Sequence, residues 1–283
     1  MTTTTNDLTL VLGATGKTGS RVAKRLTAVG HPVRLGSRSA EPPFDWEAPS
    51  TWADALDGVS AVYIAYVPDL ALPGADDVIG AFAEQAVAAG VHRLVLLSGR
   101  GETAAEQAEE RVRASGADWT ILRASWFNQN FSESFLLPAV LSGVFAAPGP
   151  GAPEPFTDVE DIAEVAATVL TEDGHAGRVY ELSGPRSLTF ADAMAEISAA
   201  SGLEVRHQEI PAEEFRAGLT AEGTPPDLVD LFMYLFTEVL DGRNSIPADG
   251  VQQVLGRPAR DFSDWAREAA ASGAWDRVPA PVR

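Results

Sequence analysis

The strongest constraint on the fold of this 283-residue chain is an alternation that runs through its first 125 residues. Short apolar runs are each followed by a run with helical spacing. LTLVLG (8–13) precedes SRVAKRLTAVG (20–30), and PVRLGS (32–37) comes next. AVYIAYV (61–67) precedes DDVIGAFAEQAVAAG (76–90), and RLVLLSG (93–99) precedes AAEQAEERVRASG (104–116). WTILRA (119–124) then leads to a helix expected around 131–142. Strand and helix in repeated units predict an α/β fold, a doubly wound parallel sheet covered on both faces. Continuous apolar strands such as LVLL fit burial on both sides, and the crossovers should be right-handed. Gly30, Gly90 and Gly116 stand where helix C-termini favour a left-handed residue.

The segment PPFDWEAPSTWA (42–53) is proline-rich and irregular, and is expected to cover one edge of the sheet. Beyond about residue 145 the alternation weakens. VEDIAEVAATVLT (159–171) reads as a helix with Asp158 as N-cap and Asp161 in the first turn. RVYELSG (178–184) reads as a strand, TFADAMAEISAASG (189–202) as a helix and EVRHQEI (204–210) as a further strand. DLVDLFMYLFTEVLD (227–241) is apolar almost all round, which predicts burial or an interface. The expected organisation is a first domain over 1–150 and a smaller lobe over 151–283, partly interleaved with it.

Composition removes several function classes. The net charge of −19 argues against a nucleic-acid partner and against anionic membrane surfaces. With no cysteine there is no disulfide, zinc thiolate or cysteine nucleophile. His31, His92, His175 and His207 are scattered, and no pair has metal-ligand spacing, so no metal is expected. MTTTTND does not read as a signal peptide, and FLLPAVLSGVFAAP is too short to span a bilayer and contains Pro138. A cytoplasmic protein acting on a small molecule is expected, as a monomer or a homodimer.

The turn between the first strand and its helix carries the functional signal. In LGATGKTGS, Gly13, Gly16 and Gly19 lie at the joint. The first permits a tight turn, the second lets the backbone approach a pyrophosphate, and the third lets helix and strand pack closely. Amide groups at the helix start, with the helix dipole, attract the anion. The spacing is G-x-x-G-x-x-G, and no G-K-[S/T] follows a four-residue spacer, so this is not a nucleotide triphosphate loop. A dinucleotide is expected, held by Gly13, Ala14, Thr15, Gly16, Lys17, Thr18 and Gly19. At the end of the second strand, where NAD-binding sheets place a carboxylate for the ribose 2′-hydroxyl, the chain has Ser37 and Arg38. Arg38 can pair with a 2′-phosphate, and Lys17 can add charge, so NADP(H) is preferred over NAD(H), with nearby Glu41 opposing. The ends of the later strands should wall the cofactor: Ala65, Tyr66 and Val67; Ser98 and Gly99; Ala124, Ser125 and Trp126.

GATGKTG, RLVLLSG after GV-H, RASGADWTILRASWFNQNF and PFTDVEDIAEVA, in this order, resemble the atypical short-chain dehydrogenase/reductases of the NmrA-like branch. The likeness extends to VLGRPARDFSDWA near the C-terminus, and is nearest to the EasG-type ergot-alkaloid reductases and the NAD(P)H quinone reductases. It implies a Rossmann-type domain with a small C-terminal substrate lobe, and NADP(H) held by Gly13, Thr15, Gly16, Lys17, Thr18 and Arg38.

Typical members of that superfamily use Ser, Tyr and Lys, with the last two in Y-x-x-x-K. Here the only lysines are Lys17 and Lys24, and no tyrosine lies between Tyr66 and Tyr180. That proton-transfer device is excluded. Ser98 keeps the position of the superfamily serine and reads either as a substrate contact or as a turn residue. Glu102, Glu106, Glu109 and Glu110 read as a solvated helix face. An enzyme without an acid can still pass hydride to an electron-poor acceptor such as a quinone, iminium ion or enone. Tyr66, Trp126, Phe127, Asn130, Phe131 and Tyr234 are the candidate substrate contacts. The alternative is an NADP-binding redox sensor that turns nothing over. An isomerase or cyclase that retains its cofactor is a weaker third.

Overall fold

The computed structural model describes residues 7–149 and 151–276. The residues before Asp7 in the MTTTTND stretch lie outside the described residues. Two compact units are present. The first comprises Met1–Ala124, Val159–Leu182 and Asp249–Pro258, and the second Ser125–Asp158, Ser183–Ala248 and Ala259–Arg283.

The first unit runs β1 (Thr9–Leu12), α1 (Lys17–Ala28), β2 (Val33–Gly36), α2 (Trp52–Leu56), β3 (Ala61–Ile64), α3 (Ala75–Ala88), β4 (Arg93–Gly99), α4 (Thr103–Ala114) and β5 (Asp118–Ala124). The chain then passes through α5 (Asn130–Glu133), α6 (Leu137–Ser142) and β6 (Val144–Ala147) of the second unit. It returns to the first for α7 (Val159–Thr171) and β7 (Arg178–Leu182). The six strands form one parallel sheet in the order β2-β1-β3-β4-β5-β7. β1 and β3 are buried at every position, as strands of a parallel sheet covered on both faces are. Gly30, Gly90 and Gly116 all have positive φ and follow helix ends. Because β1 pairs with β2 on one side and β3 on the other, the strand order reverses at β1. In sheets of this kind ligands bind outside the carboxyl ends at that point.

The segment 42–53 is not a plain edge cover. It contains a short 3₁₀ turn at Pro49–Thr51 and then α2, and it buries Phe44 and Trp52. Arg34 of β2 donates to the carbonyls of Ala55 and Asp57, which closes the carboxyl end of α2.

The second unit adds α8 (Phe190–Ser201), β8 (Arg206–Glu209), α9 (Ala212–Ala221) and α10 (Pro226–Tyr234). The first unit's α11 (Gly250–Leu255) follows, and then α12 (Phe262–Ala271) of the second. β6 and β8 pair in parallel as a two-stranded sheet. α8 begins at a capping box between Thr189 and Asp192. α12 begins at Asp261, which accepts from the Ser263 amide and binds Arg186 through two bonds of 2.6 and 2.8 Å. The core is aromatic: Phe131, Phe145, Phe156, Phe190, Phe236, Phe262, Trp265 and Trp275 are all buried. The single helix expected around 131–142 is two short ones, because the chain turns extended at Ser134 (φ −145°, ψ −161°) and Pro138 then sits in the first turn of α6. The expected helix 227–241 is α10 followed by a π turn over Leu235–Val239, which puts Phe236 in the core.

Candidate functional site

The first strand ends in a turn shaped by missing side chains. Gly13 has φ +64°, and a Cβ there would lie 3.2 Å from the Ala65 Cβ at the end of β3. The Gly16 amide donates to the Gly13 carbonyl at 2.8 Å, which closes the turn. At Gly19 a Cβ would fall 2.3 Å from the Gly13 oxygen and 2.8 Å from the Leu12 oxygen, so α1 can lie on β1 only because the residue is glycine. Gly13 makes the tight turn and Gly19 the close helix–strand contact that their spacing predicts.

The helix start is open to an anion. Gly16 is the N-cap, no side chain caps α1, and its first turn holds no acidic residue. Arg21 donates to Glu160 at 2.9 Å and Arg25 at 2.8 Å, which ties α1 to α7. Burial pushes the Glu160 carboxyl up, but bonds from Arg25 and Arg21 hold it below the usual carboxylate range. Thr15 and Gly16 are exposed, Lys17 is half-buried, and Ala14, Thr18 and Gly19 are buried. Thr18 faces the Tyr63 phenol, which is wholly buried and pushed up by that burial.

At the end of β2 no carboxylate follows Gly36 directly. Ser37 is half-buried, and its hydroxyl lies 3.3 Å from that of Ser39. Arg38 is exposed and has no hydrogen bond or ion pair among the described residues. At the end of β3, Ala65 abuts the glycine turn, Tyr66 is half-buried and Val67 is 60% exposed. Burial and then Glu47 push the Tyr66 phenol up.

Ser98 is placed differently from its expected role. Its hydroxyl is buried and donates to Glu109 at 2.8 Å. Glu109 is fully buried and also accepts from Arg123 at 2.8 and 2.7 Å and from Arg113 at 3.0 Å. A serine bonded in this way fastens β4 to α4 and does not present a donor to substrate. Glu109 is therefore not on a solvated face. The signal for it was Arg123, a charged residue inside the apolar run of β5, which needs a buried partner. The Glu102 carboxylate covers Gly99 so closely that a Cβ on Gly99 would lie 2.1 Å from it. Ala124, at the end of β5, is buried.

The remaining predicted residues lie in the second unit. Ser125 is buried, and Trp126 is half-buried, edge-on to Phe236 (4.9 Å) and Phe190 (5.7 Å). Phe127 pairs with Thr157 in an isolated bridge and is half-buried. Asn130 is 9% exposed at the start of α5. Phe131 is core rather than a substrate contact. It is fully buried against Phe156 and Phe262, and its carbonyl accepts from the Trp275 indole at 2.9 Å. Tyr234 is half-buried at the end of α10. Asp158, expected as a helix cap, is buried and accepts from Gln129 at 2.7 Å, with Arg260 at 3.0 Å. Among the described residues no group of His, Asp and Glu could hold a metal, and no helix is long and apolar enough to cross a membrane.

Comparison with known proteins agrees with this geometry. The sequence profile of a family described as NAD(P)H-binding matches residues 13–173, starting at the first glycine of the turn. The (4-alkanoyl-5-oxo-2,5-dihydrofuran-3-yl)methyl phosphate reductase of Streptomyces griseus is 34% identical, over 92% of this chain and 97% of the relative. Festuclavine dehydrogenase easG of Aspergillus fumigatus is 28% identical, over 92% of this chain and 96% of its own. The NADPH-dependent quinone oxidoreductase of Escherichia coli, solved in complex with NADPH, superposes with a TM-score of 0.79. It is 24% identical and covers 92% of this chain and 99% of its own, a likeness that shows the fold.

Proposed function

The chain belongs to the NAD(P)H-binding family, and from that premise we propose that it is an NADPH-dependent reductase of an electron-poor small molecule, a quinone, iminium ion or enone. The observation that carries the proposal is a complete dinucleotide turn beside strand ends that hold no activated acid. The turn suits a pyrophosphate: Gly19 lets α1 lie close on β1, and the uncapped start of α1 points amides and dipole at an anion. Arg38, exposed and without a partner among the described residues, supports the 2′-phosphate and hence NADPH over NADH.

Bound NADPH would supply hydride. The chain's own part is to bind, orient and exclude water. Protonation of a carbonyl oxygen by a phenol needs a cation that lowers the phenol's pKa. Burial acts the opposite way on Tyr63 and Tyr66, and Tyr180 is bonded to His175 at 2.9 Å. Ser98 is taken by Glu109. An acceptor that draws hydride without proton transfer suits such a site. The relatives named as a reductase and a dehydrogenase support turnover over a purely sensing role.

A stopped-flow screen of NADPH absorbance against quinones, iminium ions and enones tests the proposal. Single-turnover oxidation by at least one class is expected. Tight NADPH binding with no oxidation by any of them would replace the reductase with the redox sensor.

A further inference from the structure

The proline-rich loop after β2 turns back on itself. The Ser37 carbonyl accepts from the Ala40 amide at 3.1 Å and the Phe44 amide at 2.9 Å. Two residues later, Trp46 packs on Phe44 (4.9 Å) and Phe82 (5.2 Å). The loop is pinned at its next residues too. The Trp52 indole donates to the Asp45 carbonyl at 2.8 Å, and the Asp45 amide donates to the Thr51 hydroxyl at 3.0 Å. Trp46 stays half-buried against the core, although Phe44, Trp52 and Phe82 around it are sealed.

Trp46 also meets Tyr66 at 5.1 Å, with the rings at 60°. Tyr66 lies two residues past β3, and Trp46 follows β2. The two strands flank β1, so this contact joins the chain beyond their carboxyl ends next to the glycine turn that follows β1. Both rings are half-buried, and they share that edge of the sheet with Arg38 and the exposed Val67.

We infer that Trp46 and Tyr66 form the aromatic surface on which the adenine of the dinucleotide packs. The inference rests on the dinucleotide reading of the turn and extends it to the base. A pyrophosphate at the start of α1 and a 2′-phosphate at Arg38 direct the adenosine half toward the β2 side. A purine there can stack on a π surface, and aromatic side chains supply one without regard to the base's hydrogen-bonding edge. Trp46 thereby becomes a cofactor residue. Tyr66 serves the adenosine half rather than the acceptor, and its contact with Trp46 sets its ring in place.

The test uses the full chain and 2′,5′-ADP, which carries the base and both phosphates but no nicotinamide. Calorimetry and tryptophan emission are read on wild type, Trp46→Leu and Trp46→Phe, with thermal melts to confirm folding. Stacking predicts that Trp46→Leu weakens 2′,5′-ADP roughly tenfold or more. Trp46→Phe should keep the affinity within about threefold, because a π surface remains. In wild type the ligand should quench emission, and both variants should lose that quench. Unchanged 2′,5′-ADP affinity in Trp46→Leu, or a full quench retained in Trp46→Phe, overturns the inference and leaves the turn's role intact. If Trp46→Leu does not fold, the quench in Trp46→Phe decides alone. Wild type that binds neither 2′,5′-ADP nor NADPH removes the dinucleotide reading and this inference together.

Discussion

The glycine turn of the first unit and the aromatic interior of the second are built by opposite means. In the turn, three positions work because no side chain is there, and a Cβ at Gly19 would stand 2.3 Å from a carbonyl oxygen. In the second unit eight large aromatic rings fill the core, and Phe131 alone contacts Phe156, Phe190, Phe262 and Trp265. The turn is specified by residues within seven positions of one another. The aromatic core is specified by partners up to 144 positions apart, the separation of Phe131 and Trp275. Function that depends on a short local pattern can be read along a chain, whereas packing between distant segments cannot.

The contrast breaks most directly at its two centres. Gly19→Val should have the largest effect. Its side chain must push α1 off β1, so NADPH affinity should fall by roughly a hundredfold or more, as expected when a phosphate-binding turn is displaced. Calorimetry reads this, and affinity within a few fold of wild type would show that the turn is not the anchor. Phe131→Ala should cost about 3–5 kcal/mol in stability through the cavity it leaves. Denaturant unfolding reads that loss. A variant of wild-type stability that instead lost acceptor turnover would return Phe131 to the substrate site.

Acid sharpens the comparison, because each unit has a carboxylate held below its ordinary range. Arg186 is the main cause at Asp261, and Arg25 and Arg21 outweigh burial at Glu160. A depressed folded pKa gives stability that is present above the unfolded carboxylate range and lost as pH falls through the folded value. The melting temperature should therefore drop as pH falls below about 4. Asp261→Asn should flatten that limb and lower stability at neutral pH by up to about 1 kcal/mol, because Asn still caps α12 and only the partly exposed pair with Arg186 is lost. A pH profile identical to wild type would mean that the Arg186 pair contributes nothing.

Ser98→Ala should have the smallest effect. Loss of one buried hydrogen bond costs about 1 kcal/mol, and NADPH oxidation should stay within about threefold of wild type. A fall of a hundredfold in rate with stability unchanged would restore Ser98 as a group that touches substrate.

Much of the first unit was legible in the sequence. The unbroken apolar strands could only lie in a sheet covered on both faces. Gly30, Gly90 and Gly116 marked three helix ends, and Ser37–Arg38 stand just past the end of β2, as read. The misread residues share a cause, which is that their meaning depends on distant partners. Glu109 shares one helix with Glu106 and Glu110, which are exposed, and only Arg123 and Ser98 from other strands make it a buried clamp. Phe127 and Phe131 are one helical turn apart and look alike in sequence, yet one is half-buried and the other sealed. Trp46 lies in a proline-rich loop with no periodicity, so nothing local ties it to Tyr66.

The account stands on an anion held at the start of α1 and a second phosphate at Arg38. Calorimetric titration of the wild-type chain with NADPH and with NADH tests this most directly. Micromolar binding of NADPH, with NADH weaker by roughly tenfold or more, is predicted from a charge-assisted arginine–phosphate pair. Uptake of neither nucleotide at millimolar concentration would contradict it.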